Sequence, residues 1–200
     1  MKLETNIIDH FYPKGENDKL RELLLMHSRC VAETALEVCR EHPELGGDEE
    51  VVRTGAMLHD IGIIRCDAPS IYCYGTEPYI KHGPLGAQMI EEYRQLVLEQ
   101  QNDQEQQNDQ EQQDVLDDAF LEKMKRICAR HTGTGLPGLE PETTEEKIVC
   151  YADKFFSKTR PERKKTYEEA LRSLEKFGQP GVEIFKRWHE AFGPKENPGL

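Results

Sequence analysis

Apolar residues recur at three- and four-residue steps along most of this chain, and strict two-residue alternation is almost absent, so the pattern predicts helices. The first long stripe joins Leu20, Leu23/Leu24, His27, Val31, Thr34/Ala35 and Val38 and predicts a helix from about Asp18 to Glu41. "HPELGGD" breaks the chain, and Asp48 is placed to cap a second helix on which Val52, Ala56 and His59 share a stripe, ending at Gly62. Residues 66–80, with two prolines and three tyrosines, read as a loop too irregular for core structure.

Helical order returns at Gly83-Pro84, with Leu85, Met89/Ile90 and Tyr93 facing inward. It returns again near Val115, with Met124, Ile127 and His131 on one face before the turn "HTGTGLPG". A helix from about Thr143 or Thr144 carries Ile148/Val149, Ala152/Asp153 and Phe156. Thr166 and Glu169 form a capping box for a helix stopped by Gly178, and a last helix bears Val182, Phe185, Trp188 and Phe192. The expectation is an all-α bundle of about seven helices. It forms a single domain over 1–200, with a core of about 18–160 and C-terminal helices in 161–200.

Between these helices, residues 101–113 repeat "NDQEQQ" in tandem without one apolar side chain, so 99–118 reads as a low-complexity connection with no catalytic role. That segment also changes the reading of charge. It holds eight acids and no base, and setting them aside moves the formal charge from −12 to −4. A mildly acidic remainder argues against a polynucleotide-binding surface, yet allows a small phosphorylated substrate met by metals and a few bases. No apolar run reaches membrane-spanning length and the N-terminus is too polar for a signal peptide, so a cytoplasmic protein without a membrane partner is expected. The six cysteines show no CxxC spacing and read as reduced core or loop thiols. Oligomeric state is not legible.

Several polar residues fall where the pattern wants apolar ones. His27, His59, Asp60, His82, His131 and Asp153 come from five separate segments. A buried imidazole or carboxylate is costly unless something binds it. Each alone has a plainer reading: a hydrogen-bonded core histidine, a loop residue at His82, an ion-pair partner of Lys154 or Arg130 at Asp153. Together they supply the nitrogen and carboxylate donors of a divalent metal site. Adjacent His59 and Asp60 diverge by about 100° on a helix, and an aspartate can bridge two ions through its two oxygens. Six ligands suit two metals roughly 3.5–4 Å apart, which would activate a shared water for in-line attack at phosphorus. His10, His42 and His189 read as bystanders.

These residues resemble the HD-domain superfamily of metal-dependent phosphohydrolases in its HDIG-type form. The H…HD…D pattern falls on His27 in "LLLMHSRCVAETALEVC", His59-Asp60 in "GAMLHDIGI" and Asp153 in "YADKFF". "KHGPLGAQMI" and "ICARHTGTGLPG" are similar to the di-iron branch, which includes bacterial hydrolases that split diadenosine tetraphosphate symmetrically to ADP. By that likeness His82 and His131 complete a binuclear site, and the resemblance covers about residues 20–160.

The expected activity is hydrolysis of a phosphate ester or anhydride of a nucleotide-like small molecule by a metal-bridged hydroxide. The cofactor is divalent, two ions, iron first among candidates that include manganese, nickel, cobalt, zinc and magnesium. Asp60 would bridge the ions and orient the hydroxide, and Lys154 and Arg160 would offset developing charge. Lys81, Arg130, Thr132 and Lys158 are candidate substrate contacts, and Tyr72, Tyr74 and Tyr79 candidates for a lid or a stacking face. Arg163, Lys164 and Lys165 read as surface. Two competing readings use the same ligands: a di-iron oxygenase on this fold, and a non-catalytic module that senses a nucleotide or docks to a partner.

Overall fold

The stripe from Leu20 to Val38 becomes the central helix α2, Asp18–Glu41, whose first turn is capped by Asn17 accepting from the backbone of Leu20. The computed structural model describes residues 2–105, 117–133 and 137–195. After α2 come α3 (Glu49–Leu58), α4 (His82–Glu105), α5 (Asp118–Arg130) and α6 (Thr144–Asp153). α2 packs on α3 and α6, α3 on α5, and α4 on α5, enclosing one core that runs from Leu24 and Val31 through Val52, Met89, Met124 and Val149. A helical pair, α7 (Tyr167–Glu175) and α8 (Gln179–Phe192), closes against α6. The fold is all-α, relieved only by a two-residue antiparallel pair, β1 (Asp67–Ala68) and β2 (Cys73–Tyr74).

Local signals explain most helix ends. Asp48 accepts from Glu50 and Val51, and Thr166 and Glu169 cap α7 reciprocally. Thr143 and Glu146 do the same for α6, with the buried Glu146 also paired at 2.7 Å to Arg126.

The expected bundle of about seven helices holds with one addition, and three other expectations are corrected. Eight helices are present among the described residues, because α1 (Leu3–Phe11) forms before the first long stripe, burying Ile7 and Ile8 against α3. α3 stops at Leu58, four residues before Gly62. There the His59 ring turns back to the Ala56 carbonyl, and the chain continues as a 3-10 turn over Ile61–Arg65. The 66–80 loop is anchored in the core, with Cys66 and Cys73 fully buried and Ile71 nearly so. Finally, α4 runs on to Glu105, so the start of the Gln-rich repeat prolongs a helix already nucleated. The rest of the repeat, residues 106–113, lies outside the described residues.

Gly62 is what lets the α3 turn approach α4. A Cβ there would stand 2.0 Å from the His82 carbonyl oxygen and 2.4 Å from the Gly86 nitrogen, so only glycine permits this backbone contact.

Candidate metal centre

Five of the six expected ligands sit at helix ends. His59 and Asp60 follow α3, His131 follows α5, Asp153 ends α6, and His82 begins α4; only His27 projects from mid-helix. Three C-terminal ends, those of α3, α5 and α6, thus deliver ligands to one point. The partial negative charge of a helix C-terminus favours a cation there.

The side chains form two groups joined by one carboxylate. His27 Nε2 lies 3.1 Å from Asp60 Oδ2 and 3.1 Å from Asp153 Oδ1, and His59 Nε2 lies 3.2 Å from Asp60 Oδ2. On the other side His82 Nε2 and His131 Nε2 lie 3.2 and 3.4 Å from Asp60 Oδ1. Either group, His27–His59–Asp60–Asp153 or Asp60–His82–His131, brings one donor atom per residue within 4.8 Å of all the others.

Hydrogen bonding fixes which ring nitrogens face inward. His59, His82 and His131 each place Nδ1 2.6–2.7 Å from the carbonyl three residues earlier, so Nδ1 carries the proton and donates. In the neutral rings, Nε2 is left as a lone pair. His82 and His131 nevertheless bring their Nε2 atoms to 2.9 Å. Two lone pairs at that distance repel unless a cation lies beside both. Both Asp60 oxygens are buried with no aligned donor; Lys158 Nζ, 2.7 Å from Oδ2, meets them as an ion pair off the hydrogen-bonding direction. These orphaned acceptors fit a divalent metal, and the nitrogen-rich donor set suits a borderline one.

Charge within the cluster is strongly perturbed. Burial opposes ionisation of Asp60, but His59 and Lys158 override it and hold the carboxyl far below its ordinary range. Burial likewise opposes Asp153, which Lys154 and Lys158 hold low. His59 loses from burial yet is raised to about 9 by the Asp60 and Asp153 charges. Burial takes His131 the other way, down to about 3.

The remaining expected site residues divide. Lys154 lies beside Asp153 at 3.2 Å and also donates to the His131 carbonyl. Lys158 pairs with Asp60 and passes 5.8 Å from the Tyr79 ring centroid, and Tyr79 stacks on His82. Thr132 lines the adjoining cavity, its buried hydroxyl without a partner among the described residues. Arg160 is exposed and does not line that cavity, because the chain turns back at the Ser157–Arg160 bridge. Lys81 is held on the surface by Glu77, and the half-buried Arg130 is turned to Glu140 and Glu142, so neither pairs with the ligand cluster. Tyr72 and Tyr74 are exposed and away from the cavity.

Sequence reasoning missed two supports. Tyr12, just past α1, donates its hydroxyl to Ile61 O at 2.6 Å and accepts from Ile64 N, pinning the turn that carries Asp60. Lys165 is no surface residue: its ammonium donates to the carbonyls of Lys154 and Phe156 and lines the cavity. The Pro13 and Gly15 that follow Tyr12 hide the first, and a run of adjacent bases, which has no phase, hides the second.

This chain belongs to the HD domain family, whose profile matches residues 24–158, the stretch that supplies every ligand above. That superfamily is one of metal-dependent hydrolases. An uncharacterised protein of Methanocaldococcus jannaschii is 29% identical over 153 residues, covering 70% of this chain and 69% of its own. The tRNA (cytidine(56)-2'-O)-methyltransferase of Picrophilus torridus is 28% identical over 159 residues, or 74% of this chain, which spans only 35% of that enzyme's length. No solved structure matches the chain. Among the described residues no helix is long and apolar enough to cross a membrane.

Proposed function

We propose that this protein is a phosphohydrolase that cleaves a phosphate ester or anhydride of a nucleotide-like small molecule, using two divalent ions shared through Asp60. The observation that carries the reading is the division of labour on that carboxylate, Oδ2 facing His27 and His59 while Oδ1 faces His82 and His131. His-rich ligation suits iron, manganese, nickel, cobalt or zinc, with magnesium a further candidate, and the likeness to the di-iron branch puts iron first. When bound, the ions supply Lewis acidity at a phosphoryl oxygen and acidify a water.

The chain's own residues set the geometry. Asp60 and Asp153 concentrate negative charge at the metal positions, and the carbonyl-anchored Nδ1 atoms fix the orientation of His59, His82 and His131. Lys154 and Lys158 hold two ammonium groups at the cavity floor, where they bind phosphoryl oxygens and offset charge as the leaving group departs. Two half-buried cations beside the ligands favour an anionic substrate over dioxygen, and an intact six-residue ligand set favours catalysis over mere sensing. Water oxygen bonds to phosphorus, the bond to the leaving oxygen breaks, and the water's proton passes to solvent or to that oxygen.

The test is phosphate release from nucleotides, dinucleoside polyphosphates and 4-nitrophenyl phosphate by purified protein loaded with iron or manganese. Turnover that disappears with chelator supports the reading. Metal-loaded protein that turns over none of them overturns it.

A further inference from the structure

The family match stops at residue 158, but the cavity above the ligands does not. The same hollow of about 930 Å³ that reaches His82, His131 and Asp153 continues to α7 and α8. There Leu174, Lys176, Phe177, Ile184, Arg187 and Trp188 make its far wall. Two features of that wall stand out, beyond the Lys176 ammonium lying 4.8 Å from the Phe177 ring centroid. Phe177 leaves 71% of its surface in water, an unfavourable exposure for an aromatic ring. Lys176 and Arg187, with Lys147 nearby in the lining, have no acidic partner among the described residues, whereas Lys125, Arg126 and Lys186 all do.

Charge sharpens the point. Acids outnumber bases 38 to 26 in the chain. Within the cavity lining the order inverts: Lys147, Lys154, Lys158, Lys165, Lys176 and Arg187 stand against Glu140 and Asp153, with Asp60 behind Lys158. A concave wall of one sign draws the opposite charge. Its size is near the top of the range for small-molecule sites, roughly 300–1,000 Å³, so it suits an extended ligand.

We infer that α7 and α8 form a recognition wall for a nucleotide carrying more than one phosphate, its base against Phe177 and Trp188 and its outer phosphates among Lys147, Lys176 and Arg187. The inference rests on the hydrolase reading only for which end of the ligand lies over Asp60. Aromatic faces stack on any base, and guanidinium and ammonium groups meet phosphate with charge-assisted hydrogen bonds.

Trp188 is the one tryptophan in the chain, so its fluorescence reports on this wall. The full chain, loaded with Mn²⁺, is titrated with ATP, AMP and inorganic tripolyphosphate, with circular dichroism checking each variant's fold. ATP should quench Trp188 and bind about tenfold more tightly than AMP. Phe177→Ala should weaken ATP about tenfold and leave tripolyphosphate within about twofold of wild type. The pair Lys176→Glu and Arg187→Glu should weaken ATP and tripolyphosphate alike, by about tenfold or more. ATP affinity within twofold of wild type in both variants, or no ATP binding to the wild type, overturns the inference. Variant-sensitive binding without phosphate release by the wild type would instead overturn the hydrolase reading and leave the wall standing.

Discussion

His82 and His131 meet through their Nε2 atoms at 2.9 Å although each already donates its Nδ1 proton to a backbone carbonyl. Neutral rings so arranged have no proton to share, and a metal cation beside both nitrogens makes the contact favourable. Protein purified without added metal should therefore carry close to two ions per chain by elemental analysis. His82→Ala with His131→Ala should leave about one, held by the His27 group. Two ions retained in that variant would show that these histidines are not ligands.

Binding should also release a proton. His59 is raised to about 9 in the metal-free protein by Asp60 and Asp153 despite its burial, so at pH 7.5 its Nε2 is protonated and must be vacated. His131, pushed down to about 3, contributes none. Calorimetric titrations of metal into apoprotein, in buffers of different ionisation enthalpy, should give about one proton released per chain at pH 7.5. The sign extends to stability. A folded value above the unfolded one of about 6.5 means that the His59 contribution to apoprotein stability is full below about pH 6.5 and is lost as pH rises through about 9. Buffer-independent enthalpies would contradict this.

Lys158 lies 2.7 Å from Asp60, and a protonated ammonium has no lone pair for a metal, which separates its role from ligation. Lys158→Met should retain bound metal while phosphate release falls by about a hundredfold or more, the scale of losing one charged group at a transition state. A variant that instead loses its metal would make Lys158 a keeper of the carboxylate alone.

Gly62→Ala places a methyl 2.0 Å from the His82 carbonyl, with backbone on both sides and no side chain free to yield. The α3 turn and the start of α4 must separate, at a cost of about 3 kcal/mol or more in denaturant unfolding. Metal content should fall with it, since the two elements carry Asp60 and His82. A variant as stable as wild type would remove the steric argument.

Tyr12→Phe deletes the hydroxyl that ties α1's end to Ile61 and Ile64. Leaving that buried carbonyl and amide unpaired should cost about 1–3 kcal/mol. Chelator competition should show weaker metal retention, although Tyr12 touches no ligand.

What the sequence made legible follows from periodicity. His27 interrupts a long apolar stripe at the phase of Leu20, Leu24 and Val31, so its burial was readable, and Asp153 could be placed inward beside Val149 and Ala152. Thr166 and Glu169 announced α7 by their spacing. Non-local contacts were not readable. Nothing in the order of residues shows that Gly62 touches the backbone of His82, or that Arg160 turns outward while Lys158 turns in. α1 escaped notice because only Ile7 and Ile8 mark its buried side before Tyr12. Phe177 gave no signal because a single aromatic in a three-residue link between helices belongs to no stripe.

One carboxylate with a single side-chain setting serves both halves of the centre. An ion held on the Oδ2 side would fix that torsion, so that a second one on the Oδ1 side would lose less freedom on binding. Occupancy should consequently be cooperative: under scarce metal the population splits into empty and fully charged molecules, with few half-filled ones between.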